Sequence, residues 1–300
     1  KKSQKILNCL ISIDKKYCSP AYFQQAQQII AKLEDVNQSE MEVYTSGSTG
    51  RPQKIRLQKE HLQASARATL EALNIPAGAR VHLALPLDKI AGLMMLQRAL
   101  IGGWELVLED PKSTVLKDIP GSFDFTALVP TQVATSLPYL ARVKRILIGG
   151  APIDAKLEVD LLARDLKVWH SYGMTETITH VALRTIDGQT RFFVGLPGVH
   201  FSVNKNSCLQ IHAPQIGCPA LQTKDVVDLL DEKRFIWKGR LDNVVISGGL
   251  KLYPEELEKK ISLARPFFLS GVPDAHWGSK LVMVVEGEEP LSPEDLQQAF

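Results

Sequence analysis

Thr45, Ser46, Gly47, Ser48, Thr49 and Gly50, with Arg51 and Lys54 behind them, gather hydroxyls, glycines and cations directly after the apolar run Met41 to Tyr44. A backbone that wraps a polyphosphate needs this mixture: glycines allow close approach, while amides, hydroxyls and a lysine supply donors and positive charge. The pattern is not a Walker A loop, because Lys54 stands four residues beyond Gly50 and no Gly-Lys-Ser/Thr is present. ATP is the ligand such a loop suits. Taken alone, the same composition also describes a solvated turn.

Two distant segments bear on that choice. Trp169-His170-Ser171-Tyr172-Gly173-Met174-Thr175-Glu176-Thr177 joins a ring that can stack on a purine to a carboxylate that can hold magnesium directly or through water. Lys238-Gly239-Arg240-Leu241-Asp242-Asn243 is a basic turn, followed by an apolar strand, Gly248-Gly249, and a helix opened by Pro254.

In this order the three segments resemble the adenylate-forming superfamily of acyl-CoA synthetases, luciferases and peptide-synthetase adenylation domains. That family carries a Thr-Ser-Gly-Ser/Thr-Thr-Gly-x-Pro-Lys loop, a Tyr-Gly-x-Thr-Glu motif, and a Gly-Arg-x-Asp hinge before a glycine-rich strand and Pro-x-Glu-hydrophobe-Glu. The resemblance runs from Met41 to Val285. Leu85 to Gly92, Gly149 to Pro152, Leu221 to Asp225 and Gly271 to Gly278 add smaller likenesses, while Lys89 stands where His is usual, Lys224 where Gly is usual, and Gln53 precedes the loop lysine. The short stretch ahead of the loop, with Ile-Ser-Gly-Gly and Tyr-Pro-Glu-Glu after the hinge, makes the chain most similar to a short o-succinylbenzoate-CoA ligase of menaquinone synthesis.

The resemblance implies an α/β fold. Residues 1–239 would form a large N-terminal domain of mixed parallel sheets with helices plus a β subdomain, 240–242 a hinge, and 243–300 a small α+β lid. It also implies a chemistry: ATP and Mg²⁺ convert a carboxylic acid to an acyl-adenylate, and CoA, the co-substrate, takes the acyl group. Thr45, Lys54 and the donors Ser46, Gly47, Ser48, Thr49 and Gly50 would hold phosphates, Thr175 would face the α-phosphate, and Glu176 would hold the metal. Tyr172 and Gly173, with Gly149, Gly150 and Ala151, would line the adenine. Asp225 would accept the ribose hydroxyls and Arg240 reach ribose or phosphate. Asp242 would be the hinge, and Gly248 and Gly249 would line the CoA tunnel.

Each assignment has a plainer rival: Tyr172 a core aromatic, Asp225 a turn cap, Arg240 a surface cation, Gly248-Gly249 a β turn. Lys89 either pairs with the acid or points into solvent, and Arg98 and His180 are lesser candidates for an anion pocket. The Gly-Lys turn that ends the family's lid is expected beyond Phe300. Alternative readings are a ligase for another aryl or fatty acid or for a carrier-protein acceptor, and a catalytically impaired nucleotide-binding switch. A homodimer is a family-level expectation.

The elements must place these residues. At 300 residues, 45% hydrophobic and net charge +2, the chain can bury a large core, and its scattered Lys and Arg imply no nucleic-acid partner. No apolar run reaches the roughly 18 residues of a membrane helix and no leader pattern opens the chain, so a cytoplasmic location is expected. Cys9, Cys18, Cys208 and Cys218 lack paired spacing and read as reduced thiols. Ser19-Pro20 predicts a capped helix over 21–33, with further helices at 60–73 and 90–101. Strands at 81–85, 105–108, 127–129, 145–148 and 166–169 are nearly continuous in apolar character, which predicts a sheet buried on both faces with binding loops at its carboxyl ends. The phosphate loop and a turn from Tyr172 to Glu176 are expected there. Short β runs over 179–237 predict the β subdomain, and the lid should hold a strand at 244–246, a helix at 255–263, strands at 267–272 and 281–285, and a helix from Ser292.

Overall fold

The computed structural model describes residues 4–5, 12–45, 53–261, 263, 265–287 and 292. Strands β1 (Gln4–Lys5) and β2 (Ser12–Tyr17) lead to helix α1 (Pro20–Glu34). The Ser19 hydroxyl accepts the Tyr22 N–H at 3.3 Å, and Pro20 fills a first-turn position that needs no amide donor. An apolar stripe at helical spacing, Tyr22, Phe23, Ala26, Ile30 and Leu33, is buried. Next come β3 (Glu40–Thr45), β4 (Gln53–Gln58), α2 (Lys59–Ala72), β5 (Arg80–Leu83), α3 (Ile90–Gly102) and β6 (Glu105–Glu109). They are followed by β7 (Phe125–Leu128), α4 (Pro130–Ser136), β8 (Ile146–Ile148), α5 (Ala155–Leu162) and β9 (Val168–Gly173).

Strands β2, β6, β5, β7, β8 and β9 lie parallel in that spatial order. Their apolar runs are covered on both faces. One core joins α1, α2 and α3 to the sheet through Ile30, Leu62, Met94, Trp104 and Phe125; the other joins α4 and α5 to it through Val133, Leu157, Ile146 and Phe123. Burying each such side chain contributes about 1.5–3 kcal/mol, so the two layers hold the carboxyl ends of the strands in fixed relative positions.

The same sheet continues antiparallel through β10 (His180–Thr185), β11 (Phe193–Gly195), β15 (Arg234–Arg240), β14 (Cys218–Asp231), β13 (Cys208–Ala213) and β12 (His200–Val203). The β-rich segment is thus hydrogen-bonded edge to edge with the parallel strands. A last group comprises the hairpin β16 (Val245–Ser247) and β17 (Leu250–Leu252), α6 (Pro254–Glu258), and the hairpin β18 (Phe267–Asp274) and β19 (Gly278–Val285). Its small core is centred on Ile261 and Leu269. No helix among the described residues is long and apolar enough to cross a membrane.

Three expectations need correction. The phosphate loop does not follow a strand of the parallel sheet: β3 and β4 form a separate antiparallel hairpin, paired Thr45 to Gln53, and residues 46–52 connect its strands. The Tyr172 segment does not begin a turn, because β9 runs on to Gly173, its polar side chains finding partners described below. The helix expected over 255–263 stops at Glu258. The helix expected from Ser292 lies outside the described residues, apart from Ser292 itself.

Candidate active site

Thr45 ends β3, and Ser46, Gly47, Ser48, Thr49 and Gly50 lie outside the described residues. Lys54, opposite Tyr44 in the hairpin, holds Glu42 at 2.7 Å, and this contact lowers the Glu42 pKa. Both side chains are more than 40% exposed, so the pair can open cheaply for a stronger anion.

Gly149, Gly150 and Ala151 follow β8. A Cβ on Gly149 would lie 2.4 Å from Ser171 Oγ and would turn that hydroxyl away, while Gly150 has φ +85°, a conformation that favours glycine. Ser171 Oγ donates to Ile148 O at 3.0 Å, and His170 Nε2 lies 3.3 Å from Ala151 O. These bonds lace β9 to the end of β8 and to the Gly149 to Ala151 loop. His170 carried no assigned role in the sequence; burial lowers its pKa to about 4, so it is neutral. A histidine on a strand facing a glycine turn was the available signal.

Tyr172 and Asp225, distant in sequence, meet. The tyrosine hydroxyl donates to Asp225 Oδ2 at 2.7 Å, and Trp237 Nε1 donates to Oδ1 at 3.1 Å. Asp225 is 5% exposed. Arg240, opposite it in the β14–β15 ladder, brings Nη1 to 3.8 Å of Oδ1. Burial, then the Asp225 charge, pushes the Tyr172 pKa far up, so the hydroxyl remains a donor. The ring stands edge-on to Phe235 at 5.1 Å and is only partly buried. Asp225 is therefore no turn cap; it is a buried carboxylate with one acceptor position on each oxygen committed. Trp237 is the partner that sequence reasoning missed.

Gly173 marks a close crossing: a Cβ there would sit 2.1 Å from Thr179 O and 2.4 Å from His180 Cα. The next residues fold into a 3₁₀ turn, Thr175–Thr177. Thr177 Oγ1 accepts the Met174 N–H at 3.0 Å, and Ile178 takes φ +65°, a strained value for a β-branched residue. Glu176 is exposed. No group of three or more His, Cys, Asp or Glu able to hold a metal occurs among the described residues. A lone exposed carboxylate does fit Mg²⁺, which is commonly held by one or two carboxylates and by substrate phosphates.

Below this turn lies Arg98 of α3, 2% exposed. Its Nη2 donates to Thr179 Oγ1 at 3.3 Å, and its Nε has no partner. Thr179 Oγ1 lies 2.9 Å from His180 Nδ1, His180 Nε2 lies 3.1 Å from Thr69 Oγ1, and Thr69 donates to Ser65 O at 3.0 Å. Since Ser65 O can only accept, the chain runs one way: Arg98 to Thr179, Thr179 to Nδ1, and Nε2–H to Thr69. Burial lowers both His180 and Arg98, the latter to about 9, so Arg98 is a buried cation and His180 is neutral at pH 7. The two lesser anion-pocket candidates are thus one connected unit.

Lys89 takes no part in this cluster. It stands before α3, 54% exposed, with Asp88 at 3.7 Å. Lys224 Nζ bonds both Asp242 carboxylate oxygens, at 3.2 and 3.1 Å. Gly248 (φ +56°) and Gly249 (φ +84°) form the two-residue β16–β17 turn, the geometry that needs positive φ twice. Elsewhere, a surface groove of about 1050 Å³ bordered by Asp35, Lys59, Arg67 and Gln97 shares no residue with these segments and carries none of their chemistry.

Residues 15–206 match the model of the AMP-binding enzyme family. A 2-succinylbenzoate–CoA ligase of Salmonella typhimurium (strain LT2) is 29% identical over 262 residues, covering 81% of this chain and 57% of that protein. One of Enterococcus faecalis is 28% identical over 295 residues, covering 85% and 61%. The chain thus spans about three fifths of these relatives. Among solved structures, an acyl-CoA synthetase (AMP-forming)/AMP-acid ligase II-like protein from Dyadobacter fermentans is 36% identical with TM-score 0.71, covering 92% of this chain and 83% of that one. The o-succinylbenzoate CoA synthetase from Bacillus subtilis, in complex with its acyl-adenylate intermediate, superposes with TM-score 0.72 at 23% identity over 85% of this chain and 60% of its own, a likeness of fold.

Proposed function

The chain belongs to the AMP-binding enzyme family, and from that premise we propose that it is an AMP-forming acid–thiol ligase acting on a dianionic aryl acid, o-succinylbenzoate, with CoA as acceptor. The observation that carries the acid half of this reading is Arg98, a buried guanidinium with no carboxylate partner among the described residues and a free Nε. A buried unpaired charge is costly, and it is relieved when an anion binds nearby. An acid with a second carboxylate supplies that anion while the first one reacts.

In the first step a carboxylate oxygen attacks the α-phosphorus of ATP, the bond to the β-phosphate bridge breaks, and pyrophosphate leaves. Lys54, released from Glu42, and the donors from Thr45 to Gly50 would neutralise the phosphates, with Thr175 beside the α-phosphate. Glu176 would hold Mg²⁺, which when bound would neutralise phosphate charge. Gly149, Gly150 and Ala151 would edge the adenine against Tyr172 and Gly173. Asp225 would use its remaining lone pairs for the ribose hydroxyls, with Arg240 beside them. Lys89 would add positive potential at the rim. In the second step the thiol attacks the acyl carbonyl and AMP leaves; residues 243–300 would turn about Asp242 to bring Gly248 and Gly249 to the acceptor. ATP and CoA are both supplied in the cytoplasm, where we place the reaction.

The test is to incubate the full-length gene product with ATP, Mg²⁺, CoA and a panel of acids, and to measure AMP and thioester by mass spectrometry. AMP and o-succinylbenzoyl-CoA are expected. AMP with another acid alone would discard the substrate, and ATP binding without AMP from any acid would discard the ligase.

A further inference from the structure

The segment that joins the last group to the sheet, Arg240 to Asn243, is bridged by a side chain that has no role so far. Glu255 is the second residue of α6. Its Oε1 accepts the Asn243 side-chain amide at 2.6 Å and the Arg240 N–H at 3.4 Å. One carboxylate oxygen thus ties the last residue of β15 to the residue just past Asp242. The other, Oε2, lies against Gly239. A Cβ on that glycine would be 2.3 Å from Oε2 and 3.0 Å from Cδ, so the carboxylate fills the space that a side chain there would need.

α6 meets β15 at a second point. Lys259, one helical turn after Glu255 and on the same face of α6, places its ammonium 4.8 Å from the centre of the Trp237 ring. Trp237 stands two residues before Gly239, on the same face of β15. Two side chains therefore seat the helix, a carboxylate in a notch and a cation on a ring. The seat is shallow, because Oε2 is buried and finds no hydrogen-bond donor among the described residues. That unpaired acceptor offsets part of what Oε1 gains.

We propose that Glu255 is a positioning residue that pins the 240–242 segment: while its carboxylate fills the Gly239 notch, residues 243–300 keep the orientation seen, and it must withdraw before they turn about Asp242. This rests on the acid–thiol ligase reading, in which that turn separates the two half-reactions. The pinned orientation belongs to the first. The nearest atoms to a Cβ on Gly248 all come from Trp277, and a Cβ on Gly249 meets nothing within 4 Å. The open side of neither glycine meets residues 1–239, where transfer to the thiol would need them. Glu255 touches no reacting atom. Withdrawal returns both of its oxygens to water, so the pin is one that two orientations can share.

Two measurements test this. Spin labels on Lys205→Cys and Lys280→Cys, both exposed positions, report the distance between the sheet and the last group once Cys9→Ser and Cys18→Ser have removed competing thiols. One dominant distance is expected in the otherwise wild-type protein. Glu255→Ala should add a second that takes up about a third of the molecules or more. Glu255→Gln, which keeps an acceptor for Asn243 and Arg240, should restore the single distance. In the reaction, Glu255→Ala should slow acid-dependent exchange of pyrophosphate into ATP about threefold or more, and speed single-turnover transfer from the bound adenylate to CoA by about the same factor. A structural role alone would lower both. The same distances in every variant, or half-reactions that move together or not at all, would overturn the assignment. Exchange absent from wild-type protein with every acid would remove the ligase reading, while the distances still decide whether Glu255 pins the segment.

Discussion

Replacing Arg98 by methionine should make the unliganded protein more stable and its acid affinity worse. At 2% exposure the guanidinium has one side-chain hydrogen bond, to Thr179, and burial draws its pKa from 12.5 to about 9. At about 1.4 kcal/mol per unit, that shift sets an upper bound near 5 kcal/mol on the cost of keeping it charged at pH 7. Exchanges of buried ions for apolar residues of similar size give about 1–4 kcal/mol after relaxation, and that range is the expected gain. Thr179 keeps its contact with His180, so the substitution strands no hydroxyl. A carboxylate roughly 6 Å from the guanidinium at an effective dielectric of about 20 is held by roughly 3 kcal/mol, which corresponds to a loss of about 100-fold in acid affinity. Thermal unfolding with and without o-succinylbenzoate reads both effects. A lower melting temperature without acid, together with unchanged acid affinity, would show that Arg98 is structural and refute the reasoning.

Asp225→Asn keeps the shape but leaves an amide nitrogen facing a donor, so one of the bonds from Tyr172 and Trp237 is lost. Stability should fall by about 1–3 kcal/mol and ATP affinity at least tenfold, read by urea melts and nucleotide titration. Unchanged ATP affinity would exclude the ribose role. His170 and His180 are held neutral in the fold by burial, His170 at about 4, while the unfolded chain takes up protons below about 6.5. Their contribution is whole above pH 6.5 and is lost as pH falls below it, by up to about 1.4 kcal/mol per pH unit each. His170→Gln should remove one share of that slope between pH 6.5 and 4, measured by denaturant midpoints. Gly173→Ala drives a methyl to 2.1 Å from a backbone oxygen and should cost roughly 3 kcal/mol or more, whereas Gly249→Ala meets nothing and should cost about 1 kcal/mol from its positive φ alone. Equal melting temperatures for the two would contradict the packing described for β9.

The parallel half of the fold was legible because burial on both faces leaves strands continuously apolar, as Phe125–Leu128 shows, and because Ser19 and Pro20 announce α1 by local chemistry. Strand β9 was read too short because His170, Ser171 and Tyr172 look like turn residues, and their partners, Ala151 O, Ile148 O and Asp225, come from other parts of the chain. The β3–β4 hairpin was missed for the opposite reason: Glu42, Lys54 and Arg56 alternate as on an exposed ribbon, yet the glycine-rich connection between its strands reads as chemistry rather than as pairing. In the candidate site, the resemblance singled out Asp225, but Trp237 could not be anticipated, since nothing in a lone tryptophan says which carboxylate its N–H will meet. Sequence position left two readings of Lys89 open, and which of its neighbours it meets, here Asp88 at 3.7 Å, is decided by the start of α3 rather than by the motif.

Strand β14 sends Asp225 inward to Tyr172 and the adjacent Lys224 outward to Asp242, while the rung opposite Asp225 is Arg240, the last residue of β15. The proposed sugar clamp and the proposed pivot are therefore neighbouring teeth on one gear. Any shift of β14 by a fraction of an ångström is transmitted to both without an intermediate element, and the outer tooth, a solvent-facing ion pair worth about 1 kcal/mol or less, is the one that slips first when salt is raised.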